Sequence, residues 1–406
     1  MKSRTMKSRT LTCITAMTLF GTPVVGLLLL SSVLVAWPAM AQTYSVLHSF
    51  TGADGATPSA GLTRDAFGNL YGTTTLGGAF GVGVVFKLDP AGEEEVLHSF
   101  TGGADGGFPG NGNLILDRLG DLYGVTPAGG STACFLGCGL VFKLNASGEE
   151  TVLHSFTGGA DGAGSFAGLV RDAAGIFYGS TAGSTGTLAG VVFRLTPAGN
   201  LDVLHSFSGG LDGGCSFGSL VLDRLGNLYG AADCGGTSHS GAIFKLSPAG
   251  KETVLYNFTG GNDGAFPIGP LVRGASGNLY GITESGGASG QGVVFKLDPS
   301  GKETVLYTFT GGADGAVPTA GLTRDASGNL YGTTLFGGTG AGVVFKVSPT
   351  GTETVLHTFT GGADGGNPFG VVLVRDSLGN LYGTAGGGGS TACLFGCGVV
   401  FKLTPQ

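Results

Sequence analysis

The cysteines are the residues whose chemistry is most tightly constrained by spacing. Beyond Cys13, six cysteines form three close pairs: Cys134 with Cys138, Cys215 with Cys234, and Cys393 with Cys397. An even number of cysteines in an exported chain favours disulfides. A metal or redox site is the alternative, but tetrahedral zinc needs four ligands and no histidine lies near either Cys-x3-Cys pair. We therefore predict three structural disulfides and no metal bound by these cysteines.

A Gly-Ala-Asp-Gly motif, or a close variant, recurs seven times and supplies one carboxylate per copy. The aspartates are Asp54, Asp105, Asp161, Asp212, Asp263, Asp314 and Asp364. Calcium takes six to eight oxygen ligands, whereas each copy offers a single carboxylate. In an Asp-Gly turn, the side chain would instead accept hydrogen bonds from backbone amides. We favour the turn, and retain the seven aspartates as candidate contacts to calcium or a polar ligand. We expect no other cofactor.

Five of the six histidines also recur at one position, and tyrosine replaces them in two copies. The set is His48, His98, His154, His205 and His357, with Tyr256 and Tyr307. A catalytic base would not be exchanged for tyrosine, so these side chains are expected to pack with a satisfied polar tip. His239 stands alone in a variable segment and is a candidate ligand contact. No nucleophile elbow, catalytic carboxylate pair or phosphate loop is evident, so no catalytic residue is predicted.

These residues recur because the chain consists of a repeat of about 50 residues. One copy contains four short segments, here called strands a to d: Gly-Leu-Thr-Arg-Asp (321–325), Asn-Leu-Tyr-Gly-Thr-Thr (329–334), Gly-Val-Val-Phe-Lys-Val (342–347) and Glu-Thr-Val-Leu-His-Thr-Phe (353–359). Each is rich in β-branched and aromatic residues and is bounded by turn residues. Seven copies predict an all-β protein, a seven-bladed β-propeller with four antiparallel strands per blade.

The two ends of the repeat array are complementary. The array opens on a lone strand d at residues 44–50 and stops after a strand c at 399–403. Pairing these strands would complete the last blade and leave no exposed sheet edge. We therefore predict a ring that is closed by strand 44–50.

Residues 1–41 are typical of a secretory signal peptide. Four basic residues are followed by an apolar stretch from Leu11 to Trp37 and by Ala39-Met40-Ala41, which predicts cleavage before Gln42 and a propeller over 42–406. Retention of this segment as a membrane anchor is the alternative. Cleavage would change the formal net charge from −7 to −11. Nucleic acid and anionic membranes are therefore excluded as partners. We expect an exported monomer that is extracellular, at the cell surface or periplasmic, without membrane contact after cleavage.

Loop lengths distinguish the two faces of the predicted disc. The a–b and c–d turns lie on one face, and their spacings are constant at 6 and 14 residues between marker positions. The b–c and d–a loops lie on the other face. There, the spacing from the strand-b tyrosine to the strand-c phenylalanine ranges from 14 to 19 residues. All six paired cysteines also lie in these loops. We call this side the variable face and the other the invariant face, and predict that ligands contact the variable face.

The recurring Asn-Leu-Tyr-Gly-Thr-Thr, Gly-Val-Val-Phe-Lys-Leu and Val-Leu-His-Ser-Phe segments resemble the bacterial GloVer tandem repeat over residues 44–405. The blade layout is also similar to NHL-type propellers, in which a Gly-Asn turn joins the first two strands. The GloVer resemblance implies an exported repeat protein, often attached to the cell surface by a C-terminal tail. The sequence here stops at Pro405-Gln406 without such a tail. The resemblance implies no biochemical activity.

Three functions are compatible with this sequence. The first is an exported binding module that contacts a protein or a glycan through the variable face. The second is a lactonase-like or lyase-like propeller enzyme, which would need carboxylates or histidines clustered at the mouth of the central channel. The third is a purely structural envelope protein. We favour the binding module.

Overall fold

The computed structural model describes residues 42–110, 112–183, 189–215 and 218–404. Within these ranges, the chain forms 28 β-strands in seven four-stranded antiparallel sheets and contains no α-helix. No helix capable of spanning a membrane is therefore found in this part of the chain. The predicted all-β, seven-bladed propeller is confirmed.

Blades are numbered along the chain. Blade 1 holds β2 (Thr63–Arg64), β3 (Leu70–Thr74), β4 (Val84–Leu88) and β5 (Glu94–Ser99). Blade 2 holds β6 (Ile115–Leu116), β7 (Leu122–Thr126), β8 (Leu140–Leu144) and β9 (Glu150–Ser155). Blade 3 holds β10 (Val170–Arg171), β11 (Phe177–Ser180), β12 (Val191–Leu195) and β13 (Leu201–Ser206). Blade 4 holds β14 (Val221–Leu222), β15 (Leu228–Ala232), β16 (Ala242–Leu246) and β17 (Glu252–Asn257).

Blade 5 holds β18 (Ala265–Arg273), β19 (Leu279–Ser285), β20 (Val293–Leu297) and β21 (Glu303–Thr308). Blade 6 holds β22 (Thr323–Arg324), β23 (Leu330–Thr334), β24 (Val343–Val347) and β25 (Glu353–Thr358). Blade 7 holds β26 (Val374–Arg375), β27 (Leu381–Ala385), β28 (Val399–Thr404) and β1 (Thr43–Ser49). Strand a is only two residues long except in blade 5, where it is nine residues long.

The first strand closes the ring. β1 pairs antiparallel with β28, from Thr43 opposite Thr404 to Ser49 opposite Val399. The order of blade 7 is therefore β26, β27, β28, β1, with the N-terminal strand outermost. The predicted pairing of the array ends is confirmed, and it removes the edge that an open array would expose.

Adjacent blades meet through a repeated pair of phenylalanines. The phenylalanine that follows strand d of one blade contacts the strand-c phenylalanine of the next blade, edge to face, with ring centroids 5.0–5.5 Å apart. The pairs are Phe50–Phe86, Phe100–Phe142, Phe156–Phe193, Phe207–Phe244, Phe258–Phe295, Phe309–Phe345 and Phe359–Phe401. All these side chains are buried. Edge-to-face pairs add about 0.5–1.5 kcal/mol each beyond the burial of their area.

The glycine after each strand-b tyrosine is required by this packing. A Cβ on Gly230 would lie 2.4 Å from Cζ of Phe244, and one on Gly72 would lie 2.7 Å from Cζ of Phe86. Real Cβ atoms essentially never approach another heavy atom within 3.0 Å. The glycine of the Leu-Tyr-Gly motif therefore makes room for a phenylalanine ring at the blade junction, and its conformational freedom is not the reason for its presence.

Ring closure can be tested at its own junction. Phe50 is fully buried against Phe86 of blade 1, so Phe50→Ala should lower the free energy of unfolding by about 3–5 kcal/mol in urea denaturation. Phe67→Ala is the matched control, because Phe67 is 86% exposed in a turn of blade 1 and its loss should cost less than about 0.5 kcal/mol. Equal stability of the two variants would contradict closure by β1.

Candidate functional site

The three disulfides occur as the sequence predicts. Cys134 is bonded to Cys138, Cys215 to Cys234 and Cys393 to Cys397, with Cα–Cα distances of 5.1, 5.6 and 5.0 Å. The first and third constrain b–c loops of blades 2 and 7. The second joins the d–a loop that leads into blade 4 to the b–c loop of the same blade. Oxidised sulfur does not ligate metal as a thiolate does, so these cysteines supply no metal site.

The b–c and d–a loops lie on the same side of the ring. In blade 1, Ala56 of the d–a loop bridges Leu76 of the b–c loop, and in blade 6 Ala316 bridges Phe336 in the same way. Equivalent bridges occur in blades 2, 3, 4 and 7, and in blade 5 the pairing forms part of the sheet. The variable face is therefore one continuous surface that surrounds the central channel.

The seven repeated aspartates cap turns at the outer part of this face. Asp54 accepts hydrogen bonds from the backbone amide of Thr51 at 2.7 Å and from the Thr51 hydroxyl at 2.8 Å. In the other six copies, the threonine or serine four residues earlier donates to the aspartate through the same two groups. The favoured turn geometry is thus present. Contact of these aspartates with calcium or a polar ligand stays a prediction.

Each aspartate also belongs to a polar cluster between neighbouring blades. It contacts the strand-d histidine or tyrosine of its own repeat: His48 Nε2 lies 3.0 Å from Asp54 Oδ2, and Tyr256 donates to Asp263 at 3.0 Å. In five junctions, the first residue of strand d in the next blade is a glutamate close to the same aspartate. These glutamates are Glu94, Glu150, Glu252, Glu303 and Glu353. We call these groups junction clusters.

The junction clusters connect residues that the sequence pattern treated separately. The polar tip of each recurrent histidine or tyrosine faces its aspartate and is hydrogen-bonded to it in five copies. The expected satisfied tip is absent in the other two, because Nε2 of His98 and of His205 lies 3.5 and 3.8 Å from the aspartate and is buried without a hydrogen-bond partner. The glutamates were missed, although acid at the start of strand d in five of seven repeats was a visible signal. In two clusters, His48–Asp54–Glu94 and His205–Asp212–Glu252, one ligand atom from each residue lies within 4.8 Å of the others, which is compatible with a cation. Calcium prefers more oxygens than each cluster supplies.

Burial controls the protonation of the junction glutamates. The pKa of Glu303 is raised to about 7, first by desolvation and then by the charge of Asp263. The other four glutamates have pKa values raised to about 7 with desolvation again the largest cause. Burial also lowers the pKa of His98, His205 and His357. Each glutamate is therefore protonated in mildly acidic solution.

His239 stands apart from these clusters. It lies in the b–c loop of blade 4 with an exposed side chain and a left-handed backbone, at φ 54°. Its backbone amide donates to the carbonyl of Gly236. Within the described residues, no cluster of potential metal ligands includes it. A ligand role for His239 stays a prediction.

A cavity of about 980 Å³ opens at the centre of the variable face. Its wall is formed by d–a loops, by the ends of strand b and by the b–c loops that follow them. The large apolar side chains that line it are Leu76, Phe108, Phe166, Ile268, Leu335, Phe369, Leu394 and Phe395. Ligand pockets in proteins have this size and this predominantly apolar lining. The cavity is therefore the strongest candidate binding site in the described part of the chain.

The d–a loops hold a strained backbone position in blade after blade, and three of these positions, Thr57, Phe108 and Asn367, line the cavity. Non-glycine residues adopt the left-handed conformation at one equivalent site of the d–a loop in six of the seven blades: Thr57, Phe108, Cys215, Phe266, Val317 and Asn367, with φ between 50° and 57°. Gly164 holds the site in blade 3, with φ 65°. Such conformations persist where the surrounding structure over-determines them, and they cluster at binding sites.

Two carboxylates lie in this otherwise uncharged wall. Asp233 follows β15 and Glu284 lies in β19, and both line the cavity. Burial raises the pKa of Asp233 to about 7, and the neighbouring charge of Glu284 adds to the shift. Oδ1 of Asp233 is buried and has no hydrogen-bond partner. No other titratable side chain is among the described residues that line the cavity, apart from the disulfide-bonded Cys393.

This pair, which breaks the internal symmetry, was not among the predicted site residues. Both acids lie four residues after the strand-b tyrosine. The same position holds Thr75, Pro127, Ala182, Leu335 and Gly386 in the other blades. Aligning the seven copies at that tyrosine would have singled out the two acids. Their position at the channel mouth depends on the closed ring and could be inferred only after the fold.

A group of exposed apolar side chains lies in the b–c loops of blades 7, 1 and 2. Phe135 and Leu136 lie within the 134–138 disulfide loop of blade 2, Leu394 and Phe395 within the 393–397 loop of blade 7, and Phe80 in blade 1 between them. Phe135 is 99% exposed and Phe395 is 85% exposed. We call these five residues the apolar crest. The invariant face also exposes apolar residues, each at the tip of an a–b turn: Phe67, Leu119, Leu225 and Leu378.

Comparison with known proteins supports the repeat resemblance. A family model for the Gloeobacter/Verrucomicrobia repeat matches residues 18–223 and 133–339, confirming the predicted GloVer resemblance. No curated protein sequence matches the chain.

Several solved structures are similar to this chain, two of them with TM-scores above 0.5. The extracellular domain of the putative one component system BT4673 from B. thetaiotaomicron is 13% identical, with a TM-score of 0.56 over 89% of this chain and 42% of that one. The structure described as the extracellular domain of the putative hybrid two component system BT4673 is 12% identical, with a TM-score of 0.55 over 88% of this chain and 39% of that one. Gluconolactonase XC5397 from Xanthomonas campestris is 13% identical with a TM-score of 0.43 over 90% of both chains. Similarity at this level concerns the fold alone.

The junction glutamates generate a pH prediction. Because the pKa of Glu303 is raised from 4.5 to about 7, its contribution to stability is complete below pH 4.5 and is lost as the pH rises through 7. Gln mimics the protonated acid, so Glu303→Gln should match the wild type at pH 5 and exceed it at pH 8 by about 1 kcal/mol in urea denaturation. The gain is smaller than the full shift implies because this group is only half buried.

Glu149→Gln is the control, since Glu149 is an exposed glutamate at a c–d turn. Its stability relative to the wild type should not change between pH 5 and pH 8. A Glu303→Gln variant with the same pH dependence as the wild type would show that Glu303 ionises normally.

Proposed function

Because the chain belongs to the Gloeobacter/Verrucomicrobia repeat family and folds as a closed propeller, we propose that it is an exported binding module for a protein partner. The bound element is an apolar segment of the partner, held in the central cavity of the variable face. The observation that carries this proposal is the cavity of about 980 Å³ with its large apolar side chains.

The chemistry of the cavity favours a protein over a glycan. Sugars present many hydroxyl groups, which lose their water without compensation against an apolar wall. Interface cores between proteins are instead rich in aromatic residues and poor in charge, as this wall and the apolar crest are. Exposed apolar surface of this kind on a monomer is typical of an interaction site.

Export is supported by the cysteine chemistry. Three disulfides persist in an oxidising compartment and are rare in the cytosol. The predicted signal peptide at 1–41 points the same way, although it lies outside the described residues. Two of the structures with the same fold are described as extracellular domains. The propeller would then present its variable face outside the cytoplasm.

Panning of a random peptide library on the immobilised protein tests this proposal. Apolar peptides should be enriched, and Phe369→Ser with Phe395→Ser should weaken their binding by roughly tenfold or more in fluorescence anisotropy. Phe67→Ser with Leu378→Ser is the control, because it removes two exposed apolar side chains from the invariant face. Equal loss in both double variants, or binding on a glycan array without any peptide binding, would contradict the proposal.

The carboxylate pair supports a second candidate, a hydrolase. Asp233 has a pKa raised to about 7 and could donate a proton, while Glu284 could activate water. Fluorogenic lactones, esters and glycosides are the substrates to screen. If the wild type turns over one of these substrates and Asp233→Asn does not, the protein is an enzyme and not a binding module. Absence of turnover by the wild type would remove this candidate.

A further inference from the structure

Asp233 and Glu284 distinguish blades 4 and 5 from the other five blades at one equivalent position. They are adjacent in the ring, since blades 4 and 5 are neighbours, and their counterparts in the other blades are uncharged. The repeated framework explains residues that recur in every copy. It does not explain an acidic pair that occurs in two copies only, and a buried carboxylate is costly unless it is paired. The pair therefore requires an explanation outside the fold.

No cation of the chain compensates this pair within the described lining of the cavity. Lysine, arginine and histidine are absent from that lining, and Oδ1 of Asp233 is buried without a hydrogen-bond partner. A metal ion is a poor partner here, because Cys215 and Cys234 are joined in a disulfide and cannot bind as thiolates, and the two carboxylates supply fewer oxygens than the six to eight that calcium takes. An anionic ligand would be repelled. The remaining partner is an organic cation.

The ring order places this acidic pair opposite the apolar crest. In a ring of seven blades, blade 1 faces the junction between blades 4 and 5 across the channel. The crest spans blades 7, 1 and 2, and the acids lie in blades 4 and 5. Negative charge in the described lining of the cavity is thus confined to blades 4 and 5, whereas apolar side chains line it all round and the crest adds exposed ones in blades 7, 1 and 2.

We infer that the bound element is a protein segment in which a lysine or arginine side chain stands beside apolar residues. The cation lies between Asp233 and Glu284, and the apolar residues pack in the cavity and against the crest. Hydrogen bonds from a cation to carboxylates are stronger than neutral ones, and a water-poor wall strengthens them further. This inference rests on the proposed function and specifies its ligand.

A charge series of peptides tests it. The probes are fluorescein-labelled, end-capped Leu-Phe-Lys-Phe-Leu and the same peptide with norleucine or glutamate in place of lysine, measured by anisotropy at pH 8. The lysine peptide should bind roughly tenfold or more tightly than the norleucine peptide. In the double variant Asp233→Asn, Glu284→Gln, the two affinities should converge, while the norleucine peptide binds as it does to the wild type.

The pH profile separates a direct contact from general attraction to an acidic protein. Asp233 loses its proton as the pH rises through about 7, so the lysine preference should grow between pH 6 and pH 8. The matched control is Glu149→Gln with Asp202→Asn, which removes two exposed carboxylates elsewhere and should keep the full preference.

Three outcomes would overturn the inference. One is equal binding of the lysine and norleucine peptides to the wild type. Another is a lysine preference that survives in the Asp233→Asn, Glu284→Gln variant. The third is failure of the whole series to bind although panning yields other peptides. In each case the proposed function stands, whereas a library that yields no binding peptide at all contradicts the proposed function itself.

Discussion

The contact on which the rest of the structure depends is the phenylalanine pair between adjacent blades. Each pair buries two large rings and joins the end of one blade to the middle of the next. The pair fixes the residue beneath it, because a Cβ in place of Gly72 would overlap the ring of Phe86. Seven identical contacts of this kind need a ring with no free end. The N-terminal strand therefore has to complete blade 7.

A framework built by repetition tolerates local change in the loops. The constant a–b and c–d turns preserve the junctions, while the b–c and d–a loops carry the disulfides and the length changes. The residues that differ between copies are therefore the informative ones. The crest lies in blades 7, 1 and 2 and the acids in blades 4 and 5, so an almost symmetric ring gains an asymmetric binding surface.

The outer circumference shows a different use of polar residues. At five junctions a half-buried glutamate, with a pKa raised to about 7, meets an aspartate that caps a turn. These carboxyl pairs are repeated and belong to the framework. Asp233 has a similar pKa for the same reason, burial, but it is not repeated and faces a cavity. Repetition thus separates structural acids from candidate functional ones.

The sequence by itself determined the four-stranded form of each blade, the number of blades, the strand that closes the ring and the three disulfides. Each follows from short-range pattern: strand alternation, glycine-rich turns, spacing between copies and cysteines close in the chain. It also predicted the aspartate turns, because an Asp-Gly turn is a local structure. The sequence did not predict that Glu94 lies beside Asp54, because those residues meet only where the outer strands of two blades approach each other.

Only the tertiary structure decided where the central cavity lies and what lines it. Asp233 and Glu284 are 51 residues apart in the chain, one full repeat, and neither has a motif around it. Closing the ring brings them to one channel mouth and sets them across from Phe135 and Phe395. The strand pattern determines the four strands of each blade. Residues of different blades come close together only because the ring is curved and closed.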